Sequence, residues 1–537
     1  MGTLWYGGKI RTLQTESELF DAVFVENGEV VELGTYDYFI NNKQIDISKE
    51  INLSGSVMYP GFVDSHLHMI GHGEKLLKLD VSEITSIRNL KQILLEATKD
   101  LNDGEWLLAE GFNENLYPEK TVPDRKILDS VSTKHPIMIT RVCRHALTTN
   151  TYGLNLAKID AKVTDPPGGI IVRDEKGDPT GYLHDQAQEL LKNILPVEGF
   201  AYIKRALETS LEDLYKNGYV GAHSEDLNYY GSAEKTLETF YQVIDGESRK
   251  FRANLLVHHE VVDEVIKYRD KQSNPETFIE IGAVKIFADG ALGGRTALLS
   301  EPYSDDPETQ GVAIHSKEGL AEVVKKARDL AMPVAIHTIG DLALDYAISA
   351  IEDSPVPRGK RDRLIHLQVA RQDLLDRLKV LPVVLDIQPR FVASDFPWVE
   401  SRLGAARLVY SFAWKTMLNN ELICALGSDA PIEPVNPLLG IHAAVTRRKP
   451  EENHEGYNKK EKLSLYEALQ LVTRGSAQAI CKEDDRGIIA PGYLADFTVL
   501  SEDLFDLTPD QWLQVKVDKT IVDNTIMYDR KKSKVHF

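Results

Sequence analysis

Apolar runs of four to eight residues alternate with amphipathic stretches between about residues 206 and 480. The stretch that follows Ser316 shows what lies between two runs, because its apolar positions fall on one helical stripe behind an N-cap serine. Near-continuous apolar strands that alternate with helices are typical of a parallel sheet. The seven runs are residues 219–223, 253–257, 281–287, 333–337, 363–367, 383–387 and 422–427. An earlier apolar strand at 57–63 brings the βα units to eight, which predicts an α/β fold with a (β/α)8 TIM-type barrel.

Two other patterns flank and interrupt this barrel. Residues 1–57 and 482–537 predict short strands separated by turns, with the Asn27-Gly28 pair as a hairpin signal. Each set is too small to form a stable core alone, so we expect one composite β-sandwich domain built from both termini. Residues 76–205 combine helical segments with loops rich in Pro, Gly and Asp, which predicts an inserted α+β subdomain near the active site. The barrel is assigned to residues 58–75 and 206–481.

The charge balance narrows the classes of function. Sixty-two basic against 82 acidic residues give a formal charge of −20, which argues against a nucleic-acid-binding protein with its basic face. No window of about 18 apolar residues is present, so we expect no membrane span. Three distant cysteines, Cys143, Cys424 and Cys481, fit a reducing compartment better than a disulfide framework. We therefore expect a cytoplasmic enzyme with a small-molecule partner, no nucleic acid and no membrane, and a homodimer stays open.

Metal-competent side chains stand at the ends of several predicted barrel strands. In a (β/α)8 barrel the chemistry lies where the carboxyl ends of the strands meet the following loops. Side chains at i and i+2 of a strand point the same way, so a His-x-His pair converges on one point. Neutral imidazoles and carboxylates are ligands for a borderline metal such as zinc. The residues in question are His66, His68, Lys285, His337, His366 and Asp429.

Lys285 is the exception in this set, because an ammonium group is a cation and cannot bind a metal. A charge on an apolar strand is also costly unless another group compensates it. Two interpretations are open: a buried ion pair with a carboxylate such as Asp289, or carboxylation by CO2 to a carbamate that bridges two cations. Four histidines and an aspartate exceed the ligand number of a single tetrahedral metal, which favours the carbamate and two ions.

The same residues resemble the ligand set of binuclear amidohydrolases of the urease/dihydroorotase superfamily. The motifs at residues 60–68, 284–297 and 427–431 are similar to the branch that includes N-substituted formamide deformylases. The similarity runs nearly end to end and includes residues 491–497, which look like the returning β-sandwich strand of that superfamily. The chain departs from the branch at Ile365, where an acidic residue usually precedes the sixth-strand histidine, and at Gly294, where serine is usual.

The resemblance implies a metal-dependent hydrolase that cleaves a carbon–nitrogen bond other than a peptide bond. Two cations, with zinc favoured by the histidine-rich ligands, would lower the pKa of a bridging water so that hydroxide attacks the substrate carbonyl. Asp429 would take the proton from that water and pass it to the leaving nitrogen, as general base and then acid. Arg295, Asp289 and His145 are candidates for substrate binding, each with a plain structural role as the alternative.

Two other functions stay open from the sequence. A mononuclear deaminase of a cyclic substrate usually pairs the fifth-strand histidine with a His-x-x-Glu acid, and the His337-Thr-Ile-Gly340 segment lacks that glutamate. A non-catalytic, metal-free scaffold would typically have lost metal ligands, and all six residues are present here. N-formyl amines, N-acyl amino acids and cyclic amides all stay open as substrates, because substrate loops carry no readable code.

Overall fold

The computed structural model describes residues 2–141, 146–166, 168–195, 199–269 and 278–532. Its contacts divide the chain into two compact units. The first unit comprises Met1–His72 with Ser210–Phe537, and the second comprises Gly73–Thr209. The metal-competent residues singled out by the sequence all belong to the first unit.

A parallel barrel of eight strands forms the centre of the first unit. Each strand pairs with the strands before and after it in sequence, which is the order that successive βα units produce. The predicted (β/α)8 barrel is thereby confirmed. In chain order the barrel strands are Phe62–Leu67, Tyr219–Ser224, Arg252–His258, Ile279–Phe287, Val334–Thr338, Asp362–His366, Val383–Ile387 and Ile423–Leu426.

The barrel is nearly closed between its eighth and first strands. These two strands form no ladder among the described residues, but two backbone hydrogen bonds join them at their carboxyl ends. The N–H of Asp429 donates to the carbonyl of His66 at 2.8 Å, and the N–H of His68 donates to the carbonyl of Ala430 at 2.8 Å. Gly427 makes this approach possible, because a Cβ there would lie only 2.7 Å from the backbone nitrogen of His66. The closure therefore brings the first and last strand ends into direct contact.

The predicted strand at 57–63 is wrong as one continuous element. Val57–Pro60 belongs to the terminal sheet, where it pairs with Gly2–Arg11 and Phe497–Leu500. Phe62–Leu67 begins the barrel. Gly61 separates the two, and a Cβ there would lie 2.3 Å from a methyl carbon of Val220. An uninterrupted apolar pattern cannot reveal this change of sheet, because both strands are buried on both faces.

Strands from both ends of the chain build the terminal sheet. Its buried core includes Trp5 and Phe497, whose rings meet edge to face at 6.4 Å. The Trp5 indole N–H also donates to the side chain of Asn524 at 2.9 Å, so the two chain ends share polar contacts as well. The strands are Gly2–Arg11, Leu19–Glu26, Glu29–Gly34, Ile47–Asn52, Val57–Pro60, Phe497–Leu500, Val517–Val522 and Thr525–Asp529.

Helices follow the barrel strands, as the amphipathic stretches predict. Ser316 caps Lys317–Asp329 by accepting a hydrogen bond from Gly319 N–H, which confirms the predicted N-cap. The other helices of this unit are Tyr36–Asn41, Ala233–Val243, Val262–Arg269, Asp341–Asp353, Gln372–Leu378, Arg390–Asp395, Trp398–Arg407, Trp414–Asn419, Pro437–Thr446, Leu465–Gln470, Ser476–Ala479 and Pro509–Trp512. Met69–Leu77 and Phe200–Lys216 run through the two positions where the chain passes between the units.

The second unit has a mixed sheet of its own and two apolar clusters. One cluster packs Leu90 and Leu94 against the sheet, and the other is formed around Leu147 and Leu183. Its strands are Leu79–Asp80, Leu107–Phe112, Ile137–Arg141, Ala146–Thr149, Gly169–Arg173 and Pro179–Asp185. Its helices are Ile87–Ala97, Arg125–Asp129, Thr151–Leu156 and Glu189–Lys192. Among the helices described in either unit, none is long and apolar enough to cross a membrane.

Candidate active site

All six metal-competent side chains line one cavity of about 380 Å³ at the carboxyl ends of the barrel strands. They come from five different strands, so only the barrel topology can bring them together. They are His66, His68, Lys285, His337, His366 and Asp429. The volume is in the range of small-molecule sites.

His66, His68 and Asp429 form the tightest group in this cavity. Their donor atoms all lie within 4.8 Å of one another. Nε2 of each imidazole is 3.6 Å from Oδ1 of Asp429. Two nitrogen or oxygen ligands of one tetrahedral zinc ion lie about 3.3 Å apart, so a metal ion fits between these atoms with little movement.

The electrostatics of this group also fit a cation. Burial acts to lower the pKa of His68, but the Asp429 carboxylate raises it to about 9. Burial and the neighbouring Lys285 hold the pKa of His66 well below its usual value, so His66 is neutral. Nδ1 of His66 is buried and has no hydrogen-bond partner among the described residues. The site therefore favours positive charge between His68 and Asp429 and offers a neutral imidazole beside it.

His337 and His366 form a second pair, with ring centroids 4.5 Å apart. Nε2 of His337 lies 3.0 Å from the carbonyl of Gly290, and Nδ1 of His366 lies 2.7 Å from the side-chain oxygen of Gln388. Each imidazole thus donates one N–H to an oxygen and keeps the lone pair of its other nitrogen, the arrangement typical of metal-ligating histidines. Burial lowers the pKa of both, that of His366 to about 4, so both rings are neutral.

Two of these residues have backbone conformations that L-residues rarely adopt. His366 has φ of +80° and Asp429 has φ of +58°. Such conformations are unfavourable for non-glycine residues and persist where the surrounding structure holds them. The side chain of Asp64 supplies part of that support, because one of its oxygens accepts from the backbone N–H of both His66 and Ser428 at 3.0 Å. The strand ends are therefore fixed before any ligand binds.

Lys285 lies between the two groups. Its Nζ is 3.5 Å from His66 Nε2 and 3.5 Å from a carboxylate oxygen of Glu225, and it stands 4.5 Å from the ring centroid of Phe287. The side chain is only 1% exposed, so its charge needs a partner. Of the two sequence interpretations, the ion pair exists, but its acid is Glu225 and not Asp289. Carboxylation of Lys285 stays a prediction.

Glu225 connects Lys285 to the His-x-His motif. Its backbone carbonyl accepts from Nδ1 of His68 at 2.5 Å, and the hydroxyl of Tyr229 donates to its carboxylate at 2.9 Å. Glu225 follows the second barrel strand directly, just as Gln388 follows the seventh. Sequence reasoning missed both residues, although the rule that chemistry lies just after barrel strands would have found them.

Two of the three predicted substrate-binding residues, Asp289 and Arg295, are engaged by other parts of the protein. Asp289 accepts hydrogen bonds from three backbone N–H groups, those of Leu298, Ile339 and Gly340, at 2.8–3.0 Å. Arg295 is ion-paired with Asp305 at 3.1 Å and does not belong to the described cavity lining. His145 lies outside the described residues. The assignment of all three to substrate binding stays a prediction.

The rest of the cavity wall is mostly apolar, with one further acid. Gln368 lies beside the histidines, and the carboxylate of Asp395 stands among aromatic and aliphatic side chains. The sequence alone does not reveal this wall, because most of its residues come from loops and short helices and carry no metal-binding signature. The apolar members are Phe287, Ala291, Leu292, Ile339, Phe391, Trp398 and Ile432.

Comparison with known proteins agrees with this geometry. The amidohydrolase family profile matches residues 49–528. The Bacillus subtilis (strain 168) protein YtcJ, named as an amidohydrolase, is 46% identical over 531 residues and covers 99% of this chain and 100% of its own. The N-substituted formamide deformylase of Arthrobacter pascens is 24% identical over 544 residues, which is 97% of each chain.

One similar solved structure belongs to a protein named as a metal-dependent hydrolase. The crystal structure of an uncharacterized metal-dependent hydrolase from Pyrococcus furiosus superposes with a TM-score of 0.77 at 26% identity, over 94% of this chain and 99% of that one. The predicted relationship is confirmed, and with it the enzymatic nature of the protein. The chain belongs to the amidohydrolase family and is a hydrolase.

Proposed function

We propose that this protein is a metal-dependent hydrolase of a non-peptide carbon–nitrogen bond in an N-substituted amide. One observation carries the proposal: six metal-competent side chains from five strands converge on one cavity whose remaining wall is mostly apolar. The donor set fits a divalent metal ion, because it combines neutral imidazoles with a carboxylate whose oxygen lies 3.6 Å from two ring nitrogens.

We assign the donors to two positions. His66, His68 and Asp429 would hold one ion, and His337 and His366 would hold the other, with Lys285 between them. A divalent ion in this site supplies Lewis-acid chemistry, because it polarises a carbonyl and lowers the pKa of water towards neutrality. Zinc is the ion that histidine-rich sites of this kind favour.

Asp429 is the group that moves the proton. Burial acts to raise its pKa, but His68 and the positive charges around it hold that pKa below its usual value, so the carboxylate is ionised. It takes a proton from the attacking water as the C–O bond forms. It then gives that proton to the amide nitrogen as the C–N bond breaks, which releases a carboxylic acid and an amine.

The role of Lys285 depends on its chemical form. With CO2 the Lys285 ammonium would release two protons to solvent and become a carbamate, which replaces a cation by an anion at a point 3.5 Å from His66 Nε2. Glu225 opposes this change, because its carboxylate lies 3.5 Å from the amine nitrogen and would repel the new anion. We propose that Lys285 would be carboxylated only in the metal-loaded protein, because the charge of divalent ions would outweigh that of Glu225.

The mostly apolar wall of the cavity indicates which substrates to consider first. Its apolar side chains suit an amide with an apolar body rather than a peptide backbone with many polar groups. The relative from Arthrobacter pascens is named for N-substituted formamides. N-substituted formamides and acetamides are therefore the first compounds to test.

The test is a panel of amides and lactams on protein purified without chelator and supplied with Zn2+. Release of amine and of formate or acetate is measured, and Asp429→Asn prepared in the same way is the control. The proposal predicts hydrolysis of at least one N-substituted amide by the unaltered protein, with a loss of roughly 10²–10⁴-fold in the variant. Metal-replete protein that hydrolyses no member of the panel would contradict it.

A further inference from the structure

The outer wall of the cavity is organised by one short helix and the residues that follow it. Phe391 and Asp395 are one turn apart on the helix Arg390–Asp395, so their side chains share a face. The Phe391 ring lies 6.2 Å from the ring of His366. Trp398 continues this wall beyond the helix, with its ring beside Gly293 of the loop after the fourth barrel strand. The wall therefore leads from the metal ligands to the carboxylate of Asp395.

The charge of Asp395 is not compensated by any cation in the part of the chain that the structure describes. Among the described residues no cationic nitrogen lies within ion-pair distance of its carboxylate, and the guanidinium of Arg390 is paired with Glu433 at 3.2 Å. Burial and the nearby Glu433 raise the pKa of Asp395 to about 7. An acid at the last residue of a helix also opposes the helix dipole. A charged Asp395 side chain therefore destabilises the fold, so its place in the cavity wall calls for a functional reason.

Apart from the six metal-competent residues, the described lining of the cavity carries no cationic side chain. Among the described lining residues Lys285 is the one lysine, no arginine is present, and the Lys285 amine faces Glu225 at 3.5 Å. Arg295, the cation that the sequence suggested for a substrate carboxylate, is ion-paired with Asp305 away from this lining. An amide whose amine half carried a carboxylate at its far end would thus place that anion beside Asp395 without a cation to receive it. Two like charges in a partly buried site repel each other.

We propose that Asp395 determines substrate specificity by binding a positively charged nitrogen in the amine half of the substrate. The substrate class is then a monoacylated diamine: an amide at one end, an apolar body against Phe391 and Trp398, and an ammonium group at the other end. Aromatic faces next to the carboxylate add cation–π attraction for the same group. This assignment rests on the amide hydrolysis proposed above, and it disfavours amides whose amine half carries a carboxylate at that end.

The test uses three formamides that differ in one group. They are derivatives of N-formylbenzylamine with an aminomethyl, a methyl or a carboxylate group at the para position of the ring. The three compounds are therefore a cation, a neutral molecule and an anion of similar size. At about pH 8 the Asp395 carboxylate is ionised and the aminomethyl group is charged. We expect kcat/KM to fall in the order cationic, neutral, anionic. If Asp395 makes a charge-assisted hydrogen bond to the ammonium group, kcat/KM for the cationic formamide should exceed that for the neutral one by about 10- to 100-fold.

Asp395→Asn is the decisive variant, since it keeps the shape of the side chain and removes its charge. The cationic-to-neutral ratio of kcat/KM is expected to fall at least about tenfold in this variant. Asp376→Asn removes one charge from the exposed face of the helix Gln372–Leu378 and should leave the ratio unchanged. An unchanged ratio in Asp395→Asn, or an anionic substrate hydrolysed as well as the cationic one, overturns the proposal.

Binding of the product amines separates this inference from the hydrolysis itself. Calorimetry with 1,4-bis(aminomethyl)benzene, 4-methylbenzylamine and 4-(aminomethyl)benzoic acid needs no turnover. The diamine should bind at least about tenfold more tightly than the monoamine to the unaltered protein. This difference in affinity should disappear in Asp395→Asn. Hydrolysis without charge preference would refute the role of Asp395 alone. Diamine preference without hydrolysis of any formamide would refute amide hydrolysis and leave the cation site standing, and equal affinities would refute that site.

Discussion

The backbone N–H of Asp429 donates to the carbonyl of His66 at 2.8 Å, while the Asp429 carboxylate lies 3.6 Å from Nε2 of the same histidine. One residue thus joins the eighth barrel strand to the first and also presents an acid to the ring that the first strand carries. The backbone of Asp429 fixes the position of the two strand ends, and its carboxylate remains available to bind a metal ion or accept a proton. The two roles can be separated by a substitution that changes the side chain only.

Asp429→Asn makes that separation. The backbone hydrogen bond to His66 remains, but an amide cannot take a proton from water, so we expect kcat to fall by roughly 10²–10⁴-fold. Metal content, measured by plasma mass spectrometry, should fall much less than activity does. Turnover equal to that of the unaltered protein would remove Asp429 from proton transfer.

Gln388 orients His366, and two variants of it test this. Gln388→Leu removes the oxygen that receives Nδ1–H of His366 at 2.7 Å, and loss of such a partner lowers metal affinity or activity by about 10–100-fold. Gln388→Glu keeps an acceptor at the same place and should retain most of the affinity. The measurement is a competition titration with a metal chelator. Equal affinities for the two variants would show that the hydrogen bond has no part in holding the metal.

Glu225 should be energetically coupled to Lys285. In metal-free protein Glu225→Gln leaves a buried ammonium without its acid, which lowers the free energy of unfolding by about 3–5 kcal/mol. The double variant Glu225→Gln/Lys285→Met removes both charges and should lose much less stability than the single variant. Urea denaturation of the unaltered protein, Glu225→Gln, Lys285→Met and the double variant gives the coupling free energy between the two side chains. Additive losses would contradict an ion pair between the two side chains.

Asp395 is expected to lower stability at alkaline pH. Its pKa is raised from 3.8 to about 7 by burial and by Glu433, so the folded protein binds a proton that the unfolded chain releases. Stability from this group is therefore full below about pH 4 and is lost as pH rises to about 7. Asp395→Asn should raise the free energy of unfolding by about 2–4 kcal/mol at pH 8 and have little effect at pH 4. A gain that is equal at both pH values would contradict the raised pKa.

Much of the fold could be predicted because each element of the barrel leaves a local signal. The apolar strands and the Ser316-capped helix are readable from periodicity, and the ends of the strands indicate where the chemistry lies. The histidines, Lys285 and Asp429 could be placed at one site for that reason alone. The break at Gly61 could not, because the strands on either side of it have the same buried apolar character.

The parts of the site that escaped prediction depend on three-dimensional contacts. Glu225 and Gln388 carry no metal-binding motif, and their importance appears only when Lys285 and His366 are seen beside them. Ile365, a departure from the related branch, packs in the barrel core, and His366 is oriented by Gln388 of the next strand instead. Asp395 lies on a short helix whose position in the cavity wall no sequence pattern specifies.

We propose that six side chains of one barrel hold metal ions for amide hydrolysis. The decisive measurement is the metal content of the purified protein, taken together with its rate of formamide hydrolysis during stepwise addition of Zn2+ to chelator-treated protein. We expect about two ions per chain, with hydrolysis rising as the second is bound. Saturation at one ion would favour a mononuclear deaminase, and protein that binds no metal and hydrolyses nothing would show that these side chains do not form a metal-dependent active site.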